Sequence, residues 1–320
     1  MGENENKLRI VFLGTPEFAA TCLETILDGR HEVVGVVTTP DRESGRGRKT
    51  THSAVKTIAI ERGVSIAQPQ RLRDTDFLST LKAWNADLGV VVAFRMLPEV
   101  VWAMPKLGTI NLHASLLPQF RGAAPIQRAI MAGATETGAT TFLLTNKIDT
   151  GDVLDQITLQ IGPSEDSGSL HDRILEAGKE LLASSIDKLS NRDSTPIPQG
   201  RLSIEEGLLQ EAPKLFKEDR LIDWTLDAKT VYNQIRGLSP YPCAFTNVIG
   251  SINSPMKIIA GCIDTDSKLK PGQINITNSK MYVGTGTFNI EIHKIQPAGK
   301  GKMDASSFLR GLNNELPGFI

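Results

Sequence analysis

Leu88-Gly-Val-Val-Val-Ala93 offers no polar side chain to either of its faces. Alternate residues of a strand point to opposite sides, so a run of this kind must be covered above and below, as in a parallel sheet layered between helices. Two other segments share the pattern. Leu8-Arg-Ile-Val-Phe-Leu13 is an apolar run closed by Gly14-Thr-Pro16, and Glu32-Val-Val-Gly-Val-Val-Thr38 is another. Between them Glu17 to Leu27 reads as a helix with Phe18, Cys22 and Ile26 on one face, and Ser53–Arg62 and Asp74–Trp84 read as further helices, with a short strand at Val64–Ala67. Strands alternating with helices define an α/β architecture. The first turn carries one glycine where a dinucleotide fingerprint needs three, and Pro16 removes an amide donor, so a nicotinamide cofactor is not expected.

The next strand ends differently. In Gly108-Thr-Ile-Asn-Leu-His-Ala-Ser-Leu-Leu-Pro118, Asn111 and His113 share one face, while Ile110 and Leu112 share the other. A strand covered by helices tolerates a polar pair mainly at its carboxyl edge, in the crevice where such sheets bind ligands. An isolated Asn-x-His is as readily a turn-forming asparagine and a satisfied histidine, so the rest of the chain must decide. If spatial order follows sequence, Phe94-Arg-Met-Leu-Pro98 lies beside this strand and its backbone lines the same crevice. Pro125 suits the first turn of a helix running through Gln127 to Met131. Ala139–Leu144 and Val153–Leu159 are strands joined by Thr145-Asn-Lys-Ile-Asp-Thr-Gly-Asp152. There Asp149 sits on a turn in which Asp bonds its own backbone and Gly151 is expected at positive φ. Asp166-Ser-Gly-Ser169 caps a helix from about Leu170 to Leu189.

At 320 residues and 40% hydrophobic content, the chain is long enough for two domains. Asn191 to Glu211 is polar and holds Pro196, Pro198 and Gly200, as a linker does. After a helix at about Leu226–Arg236 come short strands at Ala244–Val248, Met256–Cys262, Gly272–Ile276, Met281–Gly284 and Phe288–Ile292, which point to a small barrel or sandwich. Overall charge is −1, but residues 213–320 hold 13 Lys and Arg against 9 Asp and Glu, leaving the first part net acidic. That asymmetry permits nucleic-acid contact without establishing it. The loop Thr39-Pro-Asp-Arg-Glu-Ser-Gly-Arg-Gly-Arg-Lys-Thr50 is long, glycine-punctuated and basic, with Arg42, Arg46, Arg48 and Lys49 able to reach a phosphate backbone. The polar start and the lack of a long apolar run predict a cytoplasmic protein with no membrane segment. The odd set Cys22, Cys243 and Cys262 is expected to be buried thiols.

Taken together, Phe12-Leu-Gly-Thr-Pro-Glu-Phe18, Pro40-Asp-Arg42 with Gly45-Arg-Gly47, Asn111-Leu-His-Ala-Ser-Leu-Leu-Pro118, Arg121-Gly-Ala-Ala-Pro-Ile-Gln-Arg128, Ile148-Asp-Thr-Gly-Asp152, Ile222-Asp-Trp224 and Gln296-Pro-Ala-Gly-Lys300 resemble the methionyl-tRNA formyltransferases, a branch of the folate-dependent formyltransferases. The resemblance implies a Rossmann-like, mostly parallel catalytic domain at 1–192, a linker at 193–212 and an OB-like β-barrel for tRNA binding at 213–320. It implies a formyl group moved from 10-formyltetrahydrofolate, as co-substrate, to the α-amino group of methionyl-initiator tRNA. Asn111 and His113 would donate hydrogen bonds to the oxyanion, and Asp149 would support the imidazolium and hold the water that takes the amine proton. By the same analogy Phe94, Arg95, Met96, Leu97, Ser115, Leu116, Leu117, Pro118, Thr145, Asn146, Lys147 and Ile148 line the folate site. Arg42, Arg46, Arg48, Lys49, Lys214, Lys300 and Lys302 would contact tRNA. The sequence departs from the family at Ala93-Phe-Arg-Met96, where Ala-Tyr-Gly is frequent, and at Leu143–Lys147.

A sugar-nucleotide N-formyltransferase with the same three catalytic residues is the alternative enzyme, and a non-catalytic tRNA-binding protein is the alternative outside catalysis. Metal catalysis is not expected, because His31, His52, His113, His171 and His293 are scattered along the chain. Ser115 lacks a nucleophile elbow. A monomer is expected.

Overall fold

The computed structural model describes residues 6–44, 49–202, 209–249, 254–311 and 318–319. The chain begins with strand β1 (Arg9–Gly14), helix α1 (Glu17–Leu27) and strand β2 (Glu32–Val37). A hairpin follows, β3 (Arg42–Ser44) paired antiparallel with β4 (Lys49–Thr51). The basic segment, expected as a flexible loop, thus carries a two-stranded stem. Its tip, with Arg46 and Arg48, lies outside the described residues, and of Lys49 only the backbone is described. Next come α2 (Ala54–Glu61), β5 (Ile66–Ala67), α3 (Thr75–Trp84), β6 (Leu88–Val92), α4 (Glu99–Trp102) and β7 (Thr109–His113). Ser53 starts α2 by accepting a hydrogen bond from the Lys56 N–H. Every residue of β6 is buried, as its apolar run requires.

After the short β8 (Arg121–Gly122), α5 (Pro125–Met131) precedes β9 (Glu136–Leu143), β10 (Val153–Gln160) and the long α6 (Ser167–Asn191). The seven-stranded sheet runs β10-β9-β7-β6-β1-β2-β5. Its pairings β1–β2, β1–β6, β6–β7 and β2–β5 are parallel, and β7–β9 is antiparallel. Strand order reverses on either side of β1, the topology that opens a crevice at the carboxyl ends of the strands. Ile10, Phe12, Leu88, Val90, Ile110 and Phe142, all fully buried, form its middle.

The remainder contains β11 (Glu211–Ala212), α7 (Ala228–Gly237), β12 (Ala244–Ile249), β13 (Pro255–Asp264), β14 (Ile274–Thr277), β15 (Lys280–Gly284), β16 (Asn289–Pro297), β17 (Met303–Asp304), α8 (Ala305–Arg310) and β18 (Gly318–Phe319). Strands β12 to β18 form an antiparallel sheet in the order β14-β15-β16-β13-β12-β18, with β17 on β16. The segment leading into β14 reaches β18, where the Phe319 N–H donates to the Gly272 carbonyl at 3.3 Å. Trp224 is buried in this core, stacked on Phe319 at 5.9 Å, with its Nε1–H given to Thr246 Oγ1 at 2.9 Å. The strand expected to stop at Ile292 runs on to Pro297.

By contacts the chain divides into two units. One holds residues 1–121, 138–159 and 173–210; the other holds 122–137, 160–172 and 211–320. Cys22 and Cys243 are buried as expected, but Cys262 is only half-buried, because it lies on the outer side of the second unit's sheet. No helix among the described residues is long and apolar enough to cross a membrane.

Candidate active site

Strand β7 places Asn111 beside Val91 of β6 and across from Phe142 of β9, and it places His113 across from Thr140. His113 is 6% exposed. Its Nε2 lies 2.8 Å from the Phe120 carbonyl oxygen. A carbonyl can only accept, so Nε2 must carry a proton, and Nδ1 is the nitrogen left to take up or release one. Nδ1 faces the Asp149 carboxylate at 3.7 Å. That gap is too long for a hydrogen bond and short enough for charge to be felt. Asn111 is half-buried, and among the described residues its carboxamide makes no hydrogen bond. An amide with spare donors, on the same strand face as an imidazole that donates through Nδ1 when doubly protonated, suits stabilisation of a developing oxyanion.

Two loops hold this arrangement. In the first, residues 114–120, the Ser115 hydroxyl donates to the Gln119 carbonyl at 2.6 Å. Thr140 Oγ1 donates to the Ser115 carbonyl and accepts from the Leu117 N–H. Gln156 Nε2 donates to the Leu117 carbonyl at 2.8 Å. Ser115 and Leu117, both assigned to the folate site by resemblance, are therefore turned inward: Ser115 is fully buried and Leu117 packs with Phe142 and Val153. Phe120, at φ +56°, turns its carbonyl towards His113.

In the second loop, Asp149 itself adopts the left-handed conformation, at φ +52°. Asp-Thr-Gly was expected to put the positive φ on glycine. Gly151 is needed for a different reason, since a Cβ there would fall 1.6 Å from the Leu143 carbonyl oxygen. Thr145 and Thr150 both donate to the Lys147 carbonyl, which ties the turn to itself and leaves Ile148 60% exposed. Asn146 and Lys147 are also exposed.

Gln199 joins the two loops and was missed from the sequence. It lies in the segment read as a linker and is 4% exposed. Its Nε2 donates to the carbonyls of Asp149 at 3.0 Å and Gly151 at 2.8 Å. Its Oε1 accepts from Arg121 Nε at 3.1 Å and Nη2 at 2.6 Å. Pro196, Pro198 and Gly200 hid it, because a polar, proline-punctuated segment gives no burial signal.

At the end of β6, Ala93 turns the chain at φ +45°. Phe94 and Leu97 then pack on the apolar cluster behind the sheet, while Met96 is 74% exposed. The Arg95 guanidinium donates to the Gln70 carbonyl at 2.9 Å and lies 5.7 Å from the Phe94 ring centre, so its side chain is already engaged. Leu116 and Pro118 complete the first loop, with Leu116 half-buried.

The expected tRNA contacts divide differently. Arg42, Lys214, Lys300 and Lys302 are exposed. Among the described residues Lys214 and Lys300 make no ion pair, while Lys302 reaches the Pro240 carbonyl at 3.4 Å. A cleft of about 520 Å³ in the second unit is lined by Lys217, Arg220, Phe245, Lys257, Gln296 and Gly299 among others. None of its lining residues is acidic. Arg220 donates to the carbonyls of Cys243 and Pro242 and lies 5.6 Å from the Phe245 ring centre. Lys217, Arg220 and Lys257 were not selected from sequence, where they are three cations among thirteen.

Residues 8–186 match the formyl transferase family model, and residues 214–313 match the formyl transferase C-terminal domain. The chain belongs to the formyl transferase family. Within it, the methionyl-tRNA formyltransferase of Bacteroides thetaiotaomicron is 42% identical over 308 residues, 95% of each chain. That of Flavobacterium johnsoniae is 41% identical over 309 residues, 96% of each. Among solved structures, HypX from Aquifex aeolicus in complex with tetrahydrofolic acid superposes with a TM-score of 0.65 at 19% identity, covering 98% of this chain and 50% of that one. The N-formyltransferase from Helicobacter canadensis in complex with folinic acid and dTDP-3-aminofucose gives 0.64 at 19% identity, covering 89% and 98%. These two share the fold.

Proposed function

We propose that the chain transfers the formyl group of 10-formyltetrahydrofolate to the α-amino group of methionyl-initiator tRNA. The observation that carries this reading is the spare carboxamide of Asn111 beside the spare Nδ1 of His113, in a chain that matches methionyl-tRNA formyltransferases along nearly its whole length. The neutral amine attacks the formyl carbon and forms a C–N bond, and the carbonyl electron pair moves to oxygen. Asn111 donates to that oxygen through its amide, and His113 donates through Nδ1–H. Collapse of the tetrahedral intermediate breaks the bond to N10 of the folate, which leaves as an amine. The proton lost by the attacking nitrogen passes to water held by Asp149 and is returned to N10. With Nε2–H given to the Phe120 carbonyl, donation from Nδ1 is made by the doubly protonated imidazolium, beside the Asp149 carboxylate.

Gln199 is a positioning residue in this reading. It fixes the Asp149 turn and, through Arg121, the loop that carries Phe120. Folate is held largely by backbone groups of 94–97, 115–118 and 145–148. Transfer RNA is held by the basic hairpin, by Lys214, Lys300 and Lys302, and by the Lys217–Arg220–Lys257 cleft, where a phosphate meets cations and a base meets Phe245. The enzyme acts as a monomer in the cytoplasm.

The sugar-nucleotide alternative shares the fold and the expected catalytic three, and the match to methionyl-tRNA formyltransferases over both domains weighs against it. Initiator methionyl-tRNA, elongator methionyl-tRNA and a dTDP-linked amino sugar, each incubated with enzyme and 10-formyltetrahydrofolate, separate the two. Formylation of the initiator tRNA alone is expected. Formylation of the amino sugar, with neither tRNA modified, overturns the reading.

A further inference from the structure

Strands β13 and β16 run antiparallel with Cys262 directly across from Glu291. Side chains alternate between the faces of a sheet, so His293 shares the face of Glu291 and rises beside Cys262. Cys262 Sγ lies 3.6 Å from His293 Nε2, and the same nitrogen lies 3.3 Å from Glu291 Oε1. All three donor atoms lie within 4.8 Å of one another. One imidazole nitrogen thus faces both a sulfur and a carboxylate oxygen. A single N–H cannot be directed well at both, whereas a cation between the three serves them all.

The two edges that meet at His293 Nε2 have the lengths of a tetrahedral site. With Zn–S of about 2.3 Å and Zn–N and Zn–O of about 2.1 Å, tetrahedral edges are about 3.6 Å from S to N and about 3.4 Å from N to O. We propose that Cys262, Glu291 and His293 bind a zinc-class divalent ion on the outer face of the second unit's sheet. His293 is 48% exposed, so the fourth position opens to water. This site is independent of the formyl-transfer reading and takes no part in that chemistry.

The surrounding charges set its character. Burial and the Glu291 carboxylate push the Cys262 thiol up, and Asp264 adds to this, while Lys280 opposes it. A divalent ion seated between sulfur and carboxylate reverses that balance and releases the thiol proton. Lys280 Nζ lies 3.2 Å from both oxygens of Glu291. It competes for the carboxylate and must keep only Oε2 when the ion binds through Oε1. The bound ion cross-links two neighbouring strands, so it stabilises the folded state by mass action.

Titration of the full chain, stripped with a chelator, with cobalt(II) and then zinc tests this. One equivalent of cobalt should give a thiolate-to-metal charge-transfer band that zinc bleaches, and zinc should raise the melting temperature. Cys262→Ser should abolish the band, His293→Ala should weaken zinc at least tenfold, and Lys280→Ala should tighten it. Circular dichroism of each variant separates lost ligands from lost fold. A band that survives in folded Cys262→Ser, or neither band nor thermal shift at a tenfold excess of metal over wild-type chain, overturns the proposal.

Discussion

The crevice around His113 and the cationic surfaces of the chain are built to opposite rules. In the crevice, Ser115, Thr140, Gln156 and Gln199 are each fixed to backbone groups, while the Asn111 carboxamide keeps its donors in reserve. On the cationic surfaces, Lys214 and Lys300 reach solvent, and among the described residues only Arg220 of the newly found cleft is firmly held. The difference follows from the task. Stabilising an oxyanion needs donors set in advance to within a fraction of an ångström, because reorganisation during the reaction cancels the gain. Attracting a phosphate backbone works with solvated charges whose exact positions matter little.

If that contrast is right, changes in the crevice should alter turnover steeply, and changes on the cationic surfaces should alter affinity gradually. Asn111→Ala should lower kcat by about 10² to 10³, the usual cost of one oxyanion donor, with tRNA affinity unchanged. Gln199→Ala strands two loop carbonyls and the Arg121 guanidinium, each buried unmade bond costing about 1–3 kcal/mol. It should lower both the melting temperature and kcat with KM for tRNA nearly constant. Gln199→Glu keeps the partner of Arg121 but faces two carbonyls with a carboxylate, so it should retain more stability than Gln199→Ala without recovering kcat. A rise in KM with kcat unchanged in either variant would detach Gln199 from the site. Lys217→Ala and Arg220→Ala should each weaken tRNA binding and reduce the slope of its salt dependence by about one, measured by titration at several salt concentrations.

The smallest expected effect concerns acid stability. His31 accepts the Leu8 N–H at Nδ1 and meets Asp187 at Nε2, and burial holds its pKa below the usual 6.5 against the raising pull of Asp187. The folded state therefore binds fewer protons than the unfolded one below that value, so stability falls as pH drops through and beneath it. His31→Gln, which has no charge to take up, should show a smaller loss of melting temperature between about pH 7 and about pH 5.

Much of this was legible in sequence because the deciding signals are local. The apolar run at Leu88 and the helix from Glu17 to Leu27 fall where their apolar patterns placed them. Asn111 and His113 stood out because they interrupt an apolar strand. What stayed hidden depends on contacts distant along the chain. The tautomer of His113 is set by Phe120 through a left-handed backbone turn, and the need for Gly151 comes from its close approach to the Leu143 carbonyl, while the positive φ falls on Asp149. Gln199 is close to Asp149 in space but fifty residues away in sequence. Cys262 and His293 meet only through strand register.

The most direct test of the central claim is His113→Ala, assayed by single-turnover formylation of initiator methionyl-tRNA alongside equilibrium tRNA binding. Loss of formylation by at least about 10² with unchanged binding is expected, because the proposed mechanism gives His113 a part in the chemistry and none in the grip on tRNA. Equal loss of both, or formylation close to wild type, would contradict the account.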